Sequence, residues 1–314
     1  MLNKRKKIIL IAAIALLAAC LVAGATVAII YYQANKITFT VSDTLPNGNG
    51  KVARVILLGG QSNASGCSID EYLRKNVSEE KYAEYENGYD NVYINDLSGQ
   101  NASGGFVKCS TRQGELGGYF GPELGMADKL NELYPDEEFF IIKCAWGGTN
   151  LFEQWLSPSS EGKTGKEYKS FIAFVQSSID YLISKDYDVK IEGMCWMQGE
   201  SDCFMVETSE NYGVHLENLI KDIRKKFSKY SADGGIAFID AYIAENPVFW
   251  VYYEGVNQGK TRVAALSELN CVVDTSDLVC TGEPEDTPDI PHYDSLSEIK
   301  LGHLFIEHLS TYLQ

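Results

Sequence analysis

The chain has 314 residues, and its 27 Lys and Arg against 43 Asp and Glu give a formal net charge of −16 at pH 7. A surface this acidic repels phosphate backbones, which argues against a nucleic-acid partner, and it favours solubility. One stretch near the N-terminus reads as a targeting or anchoring segment rather than as part of a globular fold.

Ile8 to Tyr32 runs for 25 residues without a charge, behind Lys4, Arg5, Lys6 and Lys7. As a helix rising 1.5 Å per residue it is roughly 37 Å long, enough to cross a hydrocarbon core of about 30 Å with some tilt. Residues 1–7 form a basic flank expected to stay in the cytoplasm, which makes the chain a single-pass cell-membrane protein with its working part outside. Two other readings are open. Leu17-Ala18-Ala19-Cys20 has the form of a lipobox that would make Cys20 a lipidated N-terminus, and Ala23-Gly24-Ala25 has the form of a signal-peptidase site that would release the protein. In all three cases the working part is extracytoplasmic.

Residues 33–50 end in Pro46-Asn47-Gly48-Asn49-Gly50, a turn-rich composition expected to be a tether, so the domain is taken as 51–314. Within it short aliphatic runs alternate with amphipathic ones. Strands are expected at Val52 to Leu58, Glu138 to Cys144, Lys190 to Trp196, Gly235 to Asp240 and Asn270 to Asp274. Helices are expected at Pro122 to Leu133, Lys166 to Ser184, Glu210 to Phe227, Gln258 to Leu266 and Ser295 to Leu313. Apolar strands alternating with helices imply a parallel sheet covered on both faces, a three-layer α/β/α sandwich. Ser68 to Tyr119 breaks the rhythm and reads as a long insertion. Its aromatics, Tyr82, Tyr85, Tyr89, Tyr93, Phe106 and Tyr119, suit either sugar stacking or the packing of the insertion itself.

Seven cysteines follow Cys20. Cys144 and Cys195 lie in apolar runs and read as core residues, whereas Cys67 with Cys109, or Cys271 with Cys280, could close local loops. No CxxC pair or histidine cluster supports a metal site, and no cofactor is expected.

Ligands of open parallel sheets gather at the carboxyl ends of the strands, and four motifs fall on that rim. Gly59-Gly60-Gln61-Ser62-Asn63 follows the first strand and exposes a serine hydroxyl at the start of a helix, among backbone N–H groups. Cys144-Ala145-Trp146-Gly147-Gly148-Thr149-Asn150 follows the second, with glycines that let an N–H approach a reacting oxygen. Trp196-Met197-Gln198-Gly199-Glu200-Ser201-Asp202 follows the third. There the Gln198 amide can donate to an oxyanion, Glu200 can orient a base or tie down the loop, and Asp202 reads as a solvated loop carboxylate. Asp289-Ile290-Pro291-His292 precedes the last helix and can supply an imidazole with its orienting carboxylate from one loop, with Asp294 as the competing acid. His215, His303 and His308 fall in expected helices and read as surface or packing residues.

Taken in order, GQSN, GGT, WMQGESD and DxxH resemble the SGNH hydrolase superfamily, and within it the carbohydrate esterase family 6 and sialate O-acetylesterase-like branch. The resemblance runs from about Lys51 to the C-terminus. It implies a flavodoxin-like sheet and a serine esterase that removes acetyl groups from carbohydrate hydroxyls. By that likeness Ser62 is the nucleophile, His292 the general base and Asp289 its orienting acid. The oxyanion donors are the Ser62 N–H, that of Gly147 or Gly148, and the Gln198 side chain, with Gln61, Asn63 and Glu200 in support. The substrate so implied is an acetylated carbohydrate. Two other readings are an esterase for a non-carbohydrate ester and a non-catalytic glycan-binding module on the same fold.

Overall fold

The computed structural model describes residues 37–280, 283 and 290–313. The apolar stretch 8–32, its basic flank, Cys20 and Asp289 lie outside them, and among the described residues no helix is long and apolar enough to cross a membrane.

β1 (Val52–Gly60) is buried from Val55 onward and turns directly into α1 (Ser62–Ser65). The stretch expected to be an insertion holds β2 (Ser68–Ile69), α2 (Asp70–Asn76), α3 (Glu79–Asn87) and β3 (Val92–Ser98), then the short strands β4 (Asn101–Ala102), β5 (Val107–Lys108) and β6 (Tyr119–Phe120). The rest alternates: α4 (Pro122–Leu133), β7 (Phe139–Ala145), α5 (Lys166–Ser184), β8 (Asp188–Met197), α6 (Val206–Phe227), β9 (Ala237–Ala241), α7 (Tyr253–Ala264), β10 (Asn270–Val273) and α8 (Ser295–Leu309). α4 and α5 have the bounds expected of them. α6 and α7 begin earlier than expected, and α8 ends earlier, at Leu309.

The main sheet has the order β10-β9-β8-β1-β7-β3-β4, with β5 also on β3. Every pairing from β10 to β3 is parallel, and β4 and β5 close that edge antiparallel. The five strands expected from the sequence stand in the flavodoxin-like order 2-1-3-4-5, with β3 added beyond β7. β1 therefore lies where the order reverses, and the chain leaves β1, β7 and β8 around one crevice.

Helices cover both faces. Phe171 of α5 and Tyr212 of α6 reach Met194 and Trp196 on one side of β8, and Leu309 of α8 reaches Gly193 on the other. α4 and α8 cross so closely that a Cβ on Gly302 would lie 2.5 Å from Met126 N and 2.7 Å from Gly125 C.

One expectation is corrected and two open readings are narrowed. The tether is not one from Phe39 onward: the Phe39 ring meets Phe174 edge-on at 5.3 Å, Leu45 is buried, and the Thr44 and Leu45 N–H groups donate to Tyr181 Oη at 3.0 and 2.9 Å. Turn residues there pack because a few apolar side chains find α5. Of the two readings of the insertion aromatics, packing holds for five of the six: Tyr82, Tyr85, Tyr89 and Phe106 are buried and Tyr93 stacks on Phe140 at 5.5 Å. Neither local disulfide forms, because Cys109 and Cys271 are thiols here and Cys109 Sγ donates to Glu123 O at 3.4 Å.

Candidate active site

The turn after β1 is set by Gly60, whose φ of 142° and close approach to Met197 O leave no room for a side chain. The Gln61 N–H donates to Met197 O at 2.9 Å, which fastens the turn to the end of β8. The Ala64 and Ser65 N–H groups return to Gln61 O at 2.8 and 2.7 Å, and so Ser62 opens a helical turn. Its own N–H is one of the groups such a turn leaves over, and no acceptor among the described residues takes it.

Ser62, His292, Gln61, Glu200, Gly147 and Gly148 line one cavity of about 410 Å³. A neighbouring cavity of about 430 Å³ beyond β9 and β10 shares Trp250 with it and contains no histidine. In the turn after β7 the Trp146 N–H donates to Gly60 O at 3.2 Å and Thr149 Oγ1 to Trp146 O at 2.7 Å, while no acceptor among the described residues takes the N–H of Gly147 or Gly148. The Ser62 hydroxyl, the His292 imidazole and the glycine turn thus line one cavity at the switch point of the sheet.

Asn63 joins the two chain segments. Its Nδ2 donates to Pro291 O at 3.2 Å and to Glu200 Oε1 at 2.9 Å, and its Oδ1 accepts from the Tyr293 N–H at 3.2 Å. It therefore grips the backbone on either side of His292. Burial pushes the Glu200 carboxyl above the usual range, against the Asn63 bond and the positive charge of Lys260. Its Oε2 has no hydrogen-bond partner among the described residues. Asp294 serves the last helix instead, where its carboxylate caps α8 by accepting from the Ser297 N–H at 2.8 Å. Asp289 lies outside the described residues.

Gln198 and Asp202 are not where the sequence suggests. Gln198 is fully buried behind the cavity, with Nε2 directed at Asp202 Oδ2 (2.7 Å), Thr149 O (3.1 Å) and Gln61 Oε1 (3.2 Å), and Oε1 facing Tyr212 Oη at 3.0 Å. In this geometry it holds Gln61 and the glycine turn from one layer back. Asp202 is buried, not solvated: it accepts the N–H of Leu151 at 2.9 Å and of Phe152 at 3.3 Å as well as the Gln198 amide. Burial pushes its carboxyl up to about 7 despite those donors. The other histidines pack as expected, His303 Nε2 against Asp128 Oδ2 at 2.9 Å, His308 Nδ1 against Leu304 O at 2.9 Å and His215 Nδ1 against Ser160 Oγ at 3.3 Å.

The cavity also takes in Cys67, Glu115, Phe204, Phe249 and Trp250, none of which the motifs point to. Exposed aromatics in loops after strands are a sequence signal for Phe204 and Phe249; Glu115 has none beyond its place among glycines.

The family model for carbohydrate esterases of the sialic acid-specific acetylesterase type matches residues 52–311. This chain belongs to that family. It is a carboxylic ester hydrolase of the O-acetyl esterase class. No curated protein matches the chain by sequence. Among solved structures, a protein from Arabidopsis thaliana is similar with a TM-score of 0.61 at 18% identity, covering 86% of this chain and 100% of that one. NanS is similar with a TM-score of 0.60 at 15% identity, covering 86% and 99%. XAC1771, a carbohydrate acetylesterase from Xanthomonas citri, follows with 0.54 at 14% identity, covering 82% and 57%. At these identities the structures establish the shared fold.

Proposed function

We propose that this esterase removes O-acetyl groups from carbohydrates through an acyl-serine intermediate. Ser62 Oγ attacks the acetyl carbonyl as His292 takes its proton, and the oxyanion is held by the N–H of Ser62 and of Gly147 or Gly148. His292 then returns the proton to the departing sugar oxygen. A water activated by the same imidazole releases acetate from the serine. Asp289, three residues before His292 in the sequence, is the carboxylate assigned to orient it, and Glu200 lines the same cavity as His292. The observation that carries this reading is the single cavity lined by Ser62, His292 and both glycines.

A fluorophosphonate probe is expected to label Ser62, and Ser62→Ala is expected to lose labelling and p-nitrophenyl acetate turnover while keeping the parent circular dichroism. Turnover by Ser62→Ala equal to the parent would end the proposal.

We further propose that residues 8–32 hold the chain in the membrane with the esterase outside, a reading supported by the uncharged run behind four basic residues. Carbonate extraction should leave the full chain in the membrane fraction, and external protease should reach residues after 38 in intact cells. Extraction into the soluble fraction would overturn the anchor.

A further inference from the structure

We infer that Glu115 makes this site select acetylated sugars that carry no carboxylate, a specificity that rests on the esterase reading above. Glu115 reaches the cavity from the loop between β5 and β6, over the β3 and β7 side of Ser62. Its backbone is fixed at several points. The Glu115 N–H donates to Gly66 O at 2.8 Å, the Gln100 N–H to Glu115 O at 3.2 Å, and buried Lys143 Nζ to Gln113 O at 2.8 Å.

The surrounding chain is cut back to admit this side chain. A Cβ on Gly147 would lie 2.6 and 2.7 Å from the two carboxylate oxygens, and one on Gly99 would run into Glu115 Cγ. Ser65 Oγ at 2.6 Å and Cys67 Sγ at 3.4 Å both approach Oε2. No donor among the described residues is bonded to Oε1, which leaves a fixed, charged acceptor beside the proposed oxyanion site. A sugar hydroxyl or ammonium satisfies such an acceptor. A sugar carboxylate instead faces like charge in a partly desolvated cavity.

Among the described residues lining the cavity there is no Lys or Arg to offset that charge. His292 must be neutral to accept the serine proton, so it supplies no cation in the ground state. The other flank, over β8 and β9, offers Phe204 and Phe249, which are 58% and 40% exposed and present apolar faces to a sugar ring.

The test uses compounds that differ only in charge: a tri-O-acetylated methyl glucuronoside as free acid and as methyl ester, and 4-O-acetyl-N-acetylneuraminic acid with its methyl ester. Acetate release is measured for each. At the spacing of one sugar ring, repulsion between two charges in a site of intermediate dielectric predicts that the parent prefers each methyl ester by at least about tenfold in kcat/KM. Glu115→Gln is expected to shrink both ratios several-fold, each variant serving as its own reference through the ester. Equal turnover of acid and ester by the parent overturns the inference whether or not the variant folds, and so does an unchanged ratio in a folded Glu115→Gln. Loss of all four substrates together with p-nitrophenyl acetate in the parent would bring down the esterase reading itself, and this inference with it.

Discussion

Asn63 is the residue through which the turn of Ser62 and the loop of His292 are made one unit. A single amide uses both ends, accepting from the Tyr293 N–H and donating to Pro291 O and Glu200. Removing it leaves a buried carboxylate short of a donor and frees the backbone on both sides of His292, although Asn63 itself does not line the cavity. A misplacement of about 1 Å between reacting groups can cost on the order of 10² in rate. Asn63→Ala is therefore expected to lower kcat for p-nitrophenyl acetate by roughly 10- to 100-fold. KM should change little, and fluorophosphonate labelling should slow in parallel. Steady-state kinetics together with a thermal melt check this. A kcat within about twofold of the parent in a folded variant would reduce Asn63 to a packing role.

At the level of elements, what the sequence makes legible follows the chemistry of each segment. β1, β7, β8, β9 and β10 are readable because apolar runs between polar turns have few other uses in an α/β chain. α4 is readable to the residue: Pro122 stands in its first turn, and Glu123 Oε1 accepts the Gly121 N–H at 2.8 Å. β3 is hidden by its polarity. Asn95, Asp96 and Ser98 are nearly or fully buried, and Asp96 stands in register opposite Lys143 of β7, 3.8 Å from its Nζ. A buried ion cluster spanning β3, β7 and α4 cannot be seen in one strand alone, because each member is explained only by partners far away in the chain. The motifs share this limit: that Ser62, Gly147, Gly148 and His292 line one cavity is visible only once the chain is folded. Whether Gln198 faces substrate or its own scaffold depends on Asp202, four residues on in the same motif, and on Thr149 and Tyr212, which arrive from two other segments.

Across the whole molecule, the buried carboxylates set a pH dependence of stability with a definite sign. Burial pushes Asp96 and Asp202 up to about 7 and Asp240 up to about 6, and moves Glu200 and Glu298 in the same direction. In the unfolded chain such groups titrate near 4. A carboxyl whose folded value is raised gives its full stabilisation below the unfolded value and loses it as pH climbs through the folded one. These contributions are therefore present near pH 4 and gone by about pH 8. Asp128 works the other way: despite its burial, bonds from His303, Lys81 and Tyr89 hold it below the usual range, so its stabilisation is lost only in strong acid. The two windows do not overlap between pH 5 and 8, and the growing net negative charge of an acidic chain adds to the same trend. Tm is expected to be higher at pH 5.5 than at pH 8, by ~2–4 °C for each kcal/mol lost in a domain of about this size. Because Asp202 anchors the turn that carries Gly147 and Gly148, the loss should include the rim of the Ser62 cavity rather than only the periphery. Thermal melts at constant ionic strength decide it, and a Tm that stays level or rises between pH 5.5 and 8 would mean that the buried ion pairs keep these carboxylates charged throughout.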